Sequence, residues 1–249
     1  MTQPSDWFDD DAFWEQLAPH MFRPAMMEKA PAEVEDIIQL LLLQPGATIL
    51  DLPCGPGRHS IEFAKRGFNV TAVDRTRAFL DRARSAAREA SVSVEFHQDD
   101  MRRFSRPGTF DVALCLFTSI GYFASRDEEL AALSNYHRNL KPGGTLVLEL
   151  MGKEVLARIH QERTWSEQDG SILLNQHELL DGWTKVRNRW TLINGAERRT
   201  FEFTHWLYSA TELRQLLAEA GFVSTEAYAS LKGDPYDSKA NRLVVIARR

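Results

Sequence analysis

Residues 49–60 decide the fold and read ILDLPCGPGRHS. The first letters form a short apolar run, which is typical of a buried β-strand, and the amphipathic pattern of a helix begins near residue 58. Gly55 and Gly57 lie between the two, where a residue without Cβ permits a tight turn and a close approach of a ligand to the backbone. A strand, a glycine turn and a helix N-terminus in this order predict a site where backbone N–H groups face a ligand.

The chain that follows this turn alternates apolar β-branched runs with amphipathic stretches. Ser125 and Glu128 have the spacing of a capping box, and KPGG at residues 141–144 ends the helix that they begin. Strands that alternate with helices predict right-handed βαβ units and a parallel sheet covered on both faces. The predicted strands are residues 47–52, 68–73, 92–97, 110–116 and 145–150, and the predicted helices are residues 58–66, 77–90 and 125–140.

Residues 153–205 have a different pattern, which predicts an antiparallel β insertion. Asp-Gly at residues 181–182 and Asn-Gly at 194–195 are strong hairpin turns. The α/β pattern then resumes to the end of the chain, so we expect one domain over residues 1–249. The strands predicted in the insertion are residues 171–179, 184–194 and 197–204, and beyond it we expect a helix over 209–220 and strands over 223–229 and 242–247.

Residues 1–45 are predicted to form a helical segment that caps the domain. An amphipathic helix is expected over residues 32–43. Residues 7–31 carry too many Trp, Phe and Met side chains for a free tail, so we expect them to pack over the domain, with a cofactor pocket as the candidate.

The composition excludes several classes of protein. The 249 residues are 43% hydrophobic and 26% charged, as in a globular domain. The formal charge of −5 provides no basic field for nucleic acid or an anionic membrane, so neither is expected as a partner. The first residues lack a secretory signal, and the apolar run at residues 37–43 is too short to span a bilayer. The two cysteines form no CxxC pair, which favours a cytoplasmic protein without a metal site.

Two carboxylates follow neighbouring strands. Asp74 ends the second strand, where its side chain can accept both hydroxyls of a ribose. Asp100 follows the third strand, where it can take an adenine amino group while Met101 packs on the ring. Because the carboxyl ends of parallel strands lie at one edge of a sheet, these groups and the glycine turn predict a nucleoside site.

Residues 49–150 resemble the class I S-adenosylmethionine-dependent methyltransferases. The resemblance implies a Rossmann-like, doubly wound, mostly parallel seven-stranded sheet with an antiparallel last strand, here with the β insertion after the fifth strand. It is closest to small-molecule N- and O-methyltransferases. The segments that carry it are DLPCGPG at 51–57, VD at 73–74, DDM at 99–101, FDVALCLF at 110–117, LKPGG at 140–144 and the final RLVVIA at 242–247.

The resemblance also implies roles for individual residues towards S-adenosylmethionine. Gly55 would lie against the methionine part, Asp51 would brace the loop, and Asp74 and Asp100 would hold ribose and adenine. Pro53 departs from the family pattern, which usually has a glycine there, and it has no N–H to donate. The full set expected at the cofactor is Asp51, Pro53, Gly55, Gly57, Asp74, Arg75, Asp100, Met101, Leu116 and Phe117.

The acceptor side is less defined by the sequence. Ligands of open α/β sheets bind at the carboxyl ends of the strands, so the run after the fourth strand is the natural place for an acceptor. Tyr122 and His205 are the candidates for catalysis, and Phe22, Tyr122 and Tyr236 for substrate contact. We expect transfer to nitrogen or oxygen of a small molecule rather than to carbon.

Two other functions stay open at this point. A nicotinamide-dependent oxidoreductase would share Gly55, Gly57 and Asp74, but it expects Gly or Ala at position 60, where the chain has Ser60. A protein that binds S-adenosylmethionine without catalysis is the other alternative. Pro53-Cys54 resembles the nucleophile motif of cytosine-C5 methyltransferases, but it lies in the cofactor loop, so we interpret Cys54 as a packing residue.

Overall fold

The computed structural model describes residues 7–249, and residues 1–6 of the expected cap segment lie outside the described range. A short 3-10 turn at Trp7–Asp9 precedes the first helix. The helices are α1 Asp11–Met21, α2 Pro24–Met27, α3 Ala30–Leu41, α4 Arg58–Lys65, α5 Arg77–Glu89, α6 Arg126–Asn139, α7 Lys153–Ile159 and α8 Ala210–Glu219. The strands are β1 Thr48–Asp51, β2 Asn69–Asp74, β3 Glu95–Gln98, β4 Phe110–Cys115, β5 Leu140–Leu150, β6 Arg163–Gln168, β7 Ser171–Leu180, β8 Lys185–Asn194, β9 Glu197–Trp206, β10 Ser224–Tyr228 and β11 Leu243–Arg248.

Seven strands form the main sheet in the order β10-β11-β5-β4-β1-β2-β3. β1 is parallel to β2 and β4, and β11 is antiparallel to both β5 and β10. The predicted fold class is therefore confirmed. The strand order reverses between β1 and β4, which is where open α/β sheets bind their ligands.

The core consists of two layers, one on each face of this sheet. Alternate side chains of β1 point to opposite layers, with Leu50 packed beneath α6 and α8 and Ile49 packed beneath α3 and α4. Both residues are fully buried. This two-sided burial explains why the central strands are continuous apolar runs rather than alternating ones.

The helix boundaries follow the capping signals of the sequence. Ser125 and Ser209 each accept a hydrogen bond from the N3 backbone N–H, and Glu128 and Glu212 bond back to them, so both capping boxes are present. The KPGG segment ends α6 as predicted, but it also belongs to β5, which begins before the predicted residue 145 because Leu140 pairs with Phe110 ahead of the register shift.

The region after β5 differs from the sequence prediction in two respects. It begins with helix α7, and its antiparallel sheet has four strands, in the order β6-β7-β8-β9, rather than three. β6 escaped prediction because its sequence, RTWSEQ, is mostly polar and lacks the β-branched apolar residues that mark strands. The two predicted hairpin turns are present, with Asp181, Gly182 and Gly195 at positive φ.

Helix α1 of the N-terminal segment packs against the four-stranded sheet. Asp10 caps α1 by accepting from the backbone N–H of Ala12 at 2.9 Å. Phe13 and Leu17 of α1 pack on Leu173 and Phe203 of the four-stranded sheet. Within residues 7–249, no helix has the length and apolar character needed to cross a bilayer.

Candidate active site

One cavity of about 800 Å³ connects the two sheets. At one end it is lined by the glycine turn after β1 and by the carboxyl ends of β2 and β4. At the other end it is lined by the inner face of the four-stranded sheet, and residues 7–26 provide a further wall. Its volume falls within the range of small-molecule sites.

The glycine turn presents Gly55 to this cavity. Gly55 has φ of +54°, and its backbone N–H donates to Oδ2 of Asp74 at 2.7 Å. A Cβ at position 55 would lie 3.4 Å from Cζ of Phe22, so the Phe22 ring covers the turn from the N-terminal segment. Pro53 and Cys54 also line the cavity, and the Leu52–Pro53 peptide is cis.

The Asp74 carboxylate lies at the centre of the glycine end. It is 6% exposed and accepts backbone N–H groups from Gly55 and from Thr76 at 2.8 Å. Burial raises the pKa of Asp74 to about 6, although the two hydrogen bonds act in the opposite direction. Because a carboxylate has about four acceptor sites, this group can still accept hydrogen bonds from a ligand.

The Asp100 carboxylate is held by a neighbouring cation. Its Oδ1 accepts from the backbone N–H of Arg102 at 2.8 Å and from Nε at 2.9 Å, and its Oδ2 accepts from Nη2 at 2.7 Å. Burial alone would raise the pKa of Asp100, but these hydrogen bonds lower it below its usual value. Asp100 is therefore an ionised acceptor beside Met101 at the cavity wall.

The loop after β4 is strained and braced from below. Phe117 and Thr118 are non-glycine residues at φ of +62° and +57°, a region that is uncommon for such side chains. Glu149 accepts from the Phe117 N–H at 2.8 Å and from Nε of Arg242 at 2.6 Å. Such strain persists where the surroundings over-determine the backbone, which is common at ligand sites.

A buried carboxylate shapes the continuation of this loop. Glu129 of α6 is 0% exposed, and its two oxygens accept from Gly121 N–H at 3.0 Å and Phe123 N–H at 2.8 Å. Burial raises the pKa of Glu129 to about 7, although the two hydrogen bonds oppose this. These contacts place Tyr122 at the cavity, between Trp7 and His205. Glu129 was not predicted from the sequence, because nothing in its local pattern distinguishes it from an exposed helical glutamate.

The other end of the cavity combines aromatic walls with a polar row on the four-stranded sheet. The polar row consists of Asn175 and His177 on β7, Asn188 on β8 and His205 on β9. His177 Nδ1 lies 2.7 Å from Asn188 Oδ1, and Asn188 Nδ2 lies 3.2 Å from His205 Nδ1. Of these four residues, only His205 was predicted from the sequence. Alternation places Asn175 and His177 on one face of β7, but the match to Asn188 and His205 depends on the pairing of the strands. The aromatic walls are Trp7, Phe13, Trp14, Tyr122, Trp190 and Phe203.

Comparison with known proteins identifies the domain. Residues 49–144 match the family model described as a methyltransferase domain. The chain therefore contains a class I S-adenosylmethionine-dependent methyltransferase domain. The methyltransferase is 26% identical over 207 residues to the putative methyltransferase YqeM of Bacillus subtilis (strain 168), covering 81% of this chain and 83% of that protein. It is 31% identical over 120 residues to a dTDP-3-amino-3,4,6-trideoxy-alpha-D-glucopyranose N,N-dimethyltransferase of Streptomyces venezuelae, covering 47% and 49%.

Solved structures share the fold of the methyltransferase. An S-adenosylmethionine-dependent methyltransferase from Clostridium acetobutylicum ATCC 824 has a TM-score of 0.76 at 15% identity, over 96% of this chain and 98% of that chain. CalS10, an amino pentose methyltransferase from Micromonospora echinaspora with bound S-adenosylmethionine, has a TM-score of 0.66 at 24% identity, over 94% and 96%. The predicted cofactor, S-adenosylmethionine, is confirmed by the match of residues 49–144 to the methyltransferase domain.

Most residues expected at the cofactor line the cavity of the methyltransferase, but two lie behind it. Asp51 is 2% exposed and accepts a hydrogen bond from Ser60 Oγ beneath the turn. Gly57 faces α5, where an added Cβ would lie 2.7 Å from Cβ of Ala83. Asp51 thus braces the turn, as the resemblance implies, and cofactor contact by Asp51 or Gly57 stays a prediction. The expected residues that do line the cavity are Pro53, Gly55, Asp74, Arg75, Asp100, Met101, Leu116 and Phe117.

The residues expected at the acceptor divide in the same way. Tyr122 and His205 line the cavity near the four-stranded sheet. Phe22 lines it at the glycine end, so its position suits a cofactor contact better than the expected substrate contact. Tyr236 does not line this cavity, and its hydroxyl donates to Oε2 of Glu154 at 3.0 Å, so its substrate contact stays a prediction.

Three further features bear on the chemistry of the methyltransferase. Cys54 is 6% exposed, and burial raises the pKa of its thiol well above the usual value, which agrees with a packing role. The Glu33 carboxylate of α3 contacts both the Arg58 guanidinium and the His59 ring at the N-terminus of α4. Among the described residues 7–249, no group of three or more His, Cys, Asp or Glu side chains is arranged to hold a metal ion.

Proposed function

We propose that this methyltransferase transfers the methyl group of S-adenosylmethionine to a nitrogen or oxygen atom of a small molecule. The observation that carries the proposal is the single cavity of about 800 Å³, which has a nucleoside-type end at the glycine turn and an aromatic, polar end at the four-stranded sheet. Such a cavity can hold donor and acceptor side by side.

The glycine end suits the cofactor. Asp74 has acceptor sites left for both ribose hydroxyls, and Asp100 retains one for the adenine amino group beside Met101. Gly55 offers a backbone without a side chain to the methionine part, and the turn at Leu116 and Phe117 offers carbonyls to its amino group. Pro53 and Arg75 would line the same pocket, with Arg75 tied to the N-terminal segment by Asp11 at 3.0 Å.

When bound, the cofactor supplies an electrophilic methyl group on a sulfonium. What the protein must add is alignment and exclusion of water, and alignment alone can contribute about 7–11 kcal/mol. The aromatic walls and the N-terminal segment exclude water from the acceptor end. Burial raises the pKa of Tyr122 far above neutrality, so its phenol stays protonated and acts as a wall or a hydrogen-bond donor.

His205 is uncharged at neutral pH in this site. Burial lowers its pKa to about 4, and the charge of His177 acts in the same direction. A neutral imidazole can orient an acceptor by hydrogen bonding. It can receive a proton only where the acceptor loses one as the new bond to carbon forms.

The names of similar proteins support a small molecule as the methyl acceptor. Proteins similar to this chain are named as an amino-sugar N,N-dimethyltransferase and as ubiquinone biosynthesis O-methyltransferases, so both nitrogen and oxygen acceptors occur among them. The formal charge of −5 argues against a nucleic-acid or membrane partner. The two free cysteines are buried, which suits the cytoplasmic location expected from the sequence.

The first test is binding followed by turnover. Saturating S-adenosylhomocysteine should raise the melting temperature, since a ligand at 100 times its Kd adds about 2.7 kcal/mol of stability. A panel of small amines, phenols and hydroxy compounds should then release S-adenosylhomocysteine from S-adenosylmethionine. Turnover with macromolecular acceptors and none across the panel would contradict the small-molecule proposal.

A further inference from the structure

The inner face of the four-stranded sheet carries two neighbouring cross-strand pairs of polar side chains. Asn175 on β7 lies directly opposite Trp190 on β8, and His177 lies opposite Asn188. His205 on β9 is paired with Val186, which places it diagonally from Asn188. Side chains so placed are within reach of one another across antiparallel strands.

The hydrogen bonds that link His177, Asn188 and His205 indicate which ring nitrogen of each histidine carries a proton. With the Asn188 amide oriented as in this structure, its oxygen accepts, so Nδ1 of His177 carries a proton and donates to it. The Asn188 amide nitrogen can only donate, so Nδ1 of His205 accepts. A neutral His205 consequently carries its proton on Nε2. Asn188 is 2% exposed, so this orientation is held within the sheet.

The second pair, Asn175 and Trp190, has hydrogen-bonding atoms left over. Asn175 Oδ1 and Trp190 Nε1 are both buried without a hydrogen-bond partner among residues 7–249. Nδ2 of Asn175 is used, since it donates to Oγ1 of Thr164 at 3.2 Å. A buried polar atom without a partner costs about 1–3 kcal/mol, so one acceptor and one donor here point to a ligand that satisfies both.

Charge and shape narrow the kind of ligand. Among residues 7–249, the carboxylates that line this cavity are Asp74, Asp99 and Asp100, and all three lie at the glycine end. Within this range the sheet end therefore has no counter-ion for an ammonium group. Its walls are flat rings, with Trp190 and Phe203 at 4.9 Å between centroids and Trp7 stacked on Phe203 at 4.6 Å. Rings of this kind stack on a planar partner. The preference for an uncharged partner rests on the missing counter-ion alone, since ring faces by themselves also attract cations.

We propose that this face selects a neutral, planar acceptor that bears a hydroxyl-type group, which accepts from Trp190 Nε1 and donates to Asn175 Oδ1, while His205 donates Nε2–H to a second acceptor atom. The inference rests on the proposed function and specifies its substrate class. Trp190, Asn175 and His205 are then specificity-determining residues, and Asn188 is the positioning residue that keeps His205 a donor.

The test compares matched probes by calorimetry on protein saturated with S-adenosylhomocysteine at pH 6.5. The pairs are 7-hydroxycoumarin with 7-methylcoumarin and 6-hydroxyquinoline with 6-methylquinoline, which differ by a hydroxyl in place of a methyl, and 1-naphthylmethylammonium is the charged comparison. We expect each hydroxyl probe to bind about tenfold or more tightly than its methyl partner, because a site built to hydrogen-bond a hydroxyl rejects the analogue without it. The ammonium should bind most weakly.

Two variants locate the preference. Trp190→Phe removes the N–H but keeps a ring, and Asn175→Leu removes the acceptor, so each should reduce the hydroxyl preference, measured as the ratio of Kd values within each pair, to about threefold or less. Trp183→Phe, outside the cavity, is the matched control. Equal affinities within both pairs, no binding of either pair, tightest binding of the ammonium, or a preference that survives both variants would overturn the proposal.

A second readout addresses His205 directly. ¹⁵N-histidine spectra, assigned with His205→Gln, should show the Nε2–H tautomer in the wild type. Asn188→Asp should change it, since a carboxylate accepts from Nδ1–H of both rings. An Nδ1–H tautomer of His205 in the wild type would refute the proposed hydrogen bonds between His177, Asn188 and His205. Binding of S-adenosylhomocysteine tests the proposed function separately. If the wild-type protein does not bind it, the proposed function is contradicted. If it binds normally but shows no hydroxyl preference, only this inference is contradicted.

Discussion

Gly57 offers a test of what the second glycine of the turn does. The structure places it against α5, where a Cβ would lie 2.7 Å from Cβ of Ala83 and 3.4 Å from its Cα. Its φ of +80° is also unfavourable for any residue with a side chain. Gly57→Ala should therefore destabilise the fold and leave the cofactor site largely unchanged.

The magnitude follows from two separate costs. An L-residue in the left-handed region costs about 1–2 kcal/mol, and an extra methyl in a packed core typically costs about 1–3 kcal/mol. We expect a loss of about 2–5 kcal/mol, which for a chain of this size lowers the melting temperature by roughly 4–20 °C. Gly46→Ala is the matched control, because Gly46 has φ of +91° and nothing within 4 Å of an added Cβ, so it should lose only the backbone part.

The assay is urea unfolding combined with a double-mutant cycle. Ala83→Gly removes the methyl that the new Cβ would meet, so the double variant Gly57→Ala/Ala83→Gly should lose about 1–3 kcal/mol less than the sum of the single losses. Additive losses, or equal losses for Gly57→Ala and Gly46→Ala, would refute the packing explanation.

Cofactor affinity separates the two glycines of the turn. Gly57→Ala should change the Kd of S-adenosylhomocysteine by less than about threefold where the variant is folded, since Gly57 does not line the cavity. Gly55→Ala, whose methyl would enter the cavity 3.4 Å from Phe22, should weaken binding by about tenfold or more. The reverse order would show that Gly57 is the ligand contact.

Three further predictions concern titratable groups. With a pKa of about 6, Asp74 is mostly protonated at pH 5 and must lose its proton to accept both ribose hydroxyls, so the affinity for S-adenosylhomocysteine should fall about tenfold from pH 7 to pH 5. Calorimetry at both pH values should show a smaller change in Asp74→Asn, and an equal change would assign the effect to another group. Glu129→Gln leaves the backbone N–H of Gly121 or Phe123 without its hydrogen-bond acceptor and should lower the free energy of unfolding in urea by about 1–3 kcal/mol. The KM for the methyl-accepting substrate should rise. An unchanged KM would mean that the loop does not depend on Glu129. Tyr236→Phe removes only the hydrogen bond to Glu154, so it should cost at most about 1.5 kcal/mol and leave kcat unchanged; a large fall in kcat would place Tyr236 at the acceptor site.

The sequence by itself determined the α/β fold and the cofactor. Apolar runs, glycine turns and capping boxes act over a few neighbouring residues, so the pattern around Gly55, Asp74 and Ser125 predicts β1, β2 and α6 within a few residues of their observed bounds. The carboxyl ends of parallel strands share an edge, so the pattern also brings Asp74 and Asp100 to one cavity.

Only the tertiary structure decided which side of each element faces the cavity. Gly57 and Asp51 lie in the right motif but point into packing, because α5 and Ser60 lie behind the turn. The polar row of the four-stranded sheet depends on the pairing of β7, β8 and β9, since a shift of one residue would turn Asn188 to the opposite face. Burial was also decided by the tertiary structure. The pKa values of Glu129 and His205 are set by the chain segments packed around them, which lie far away in the sequence.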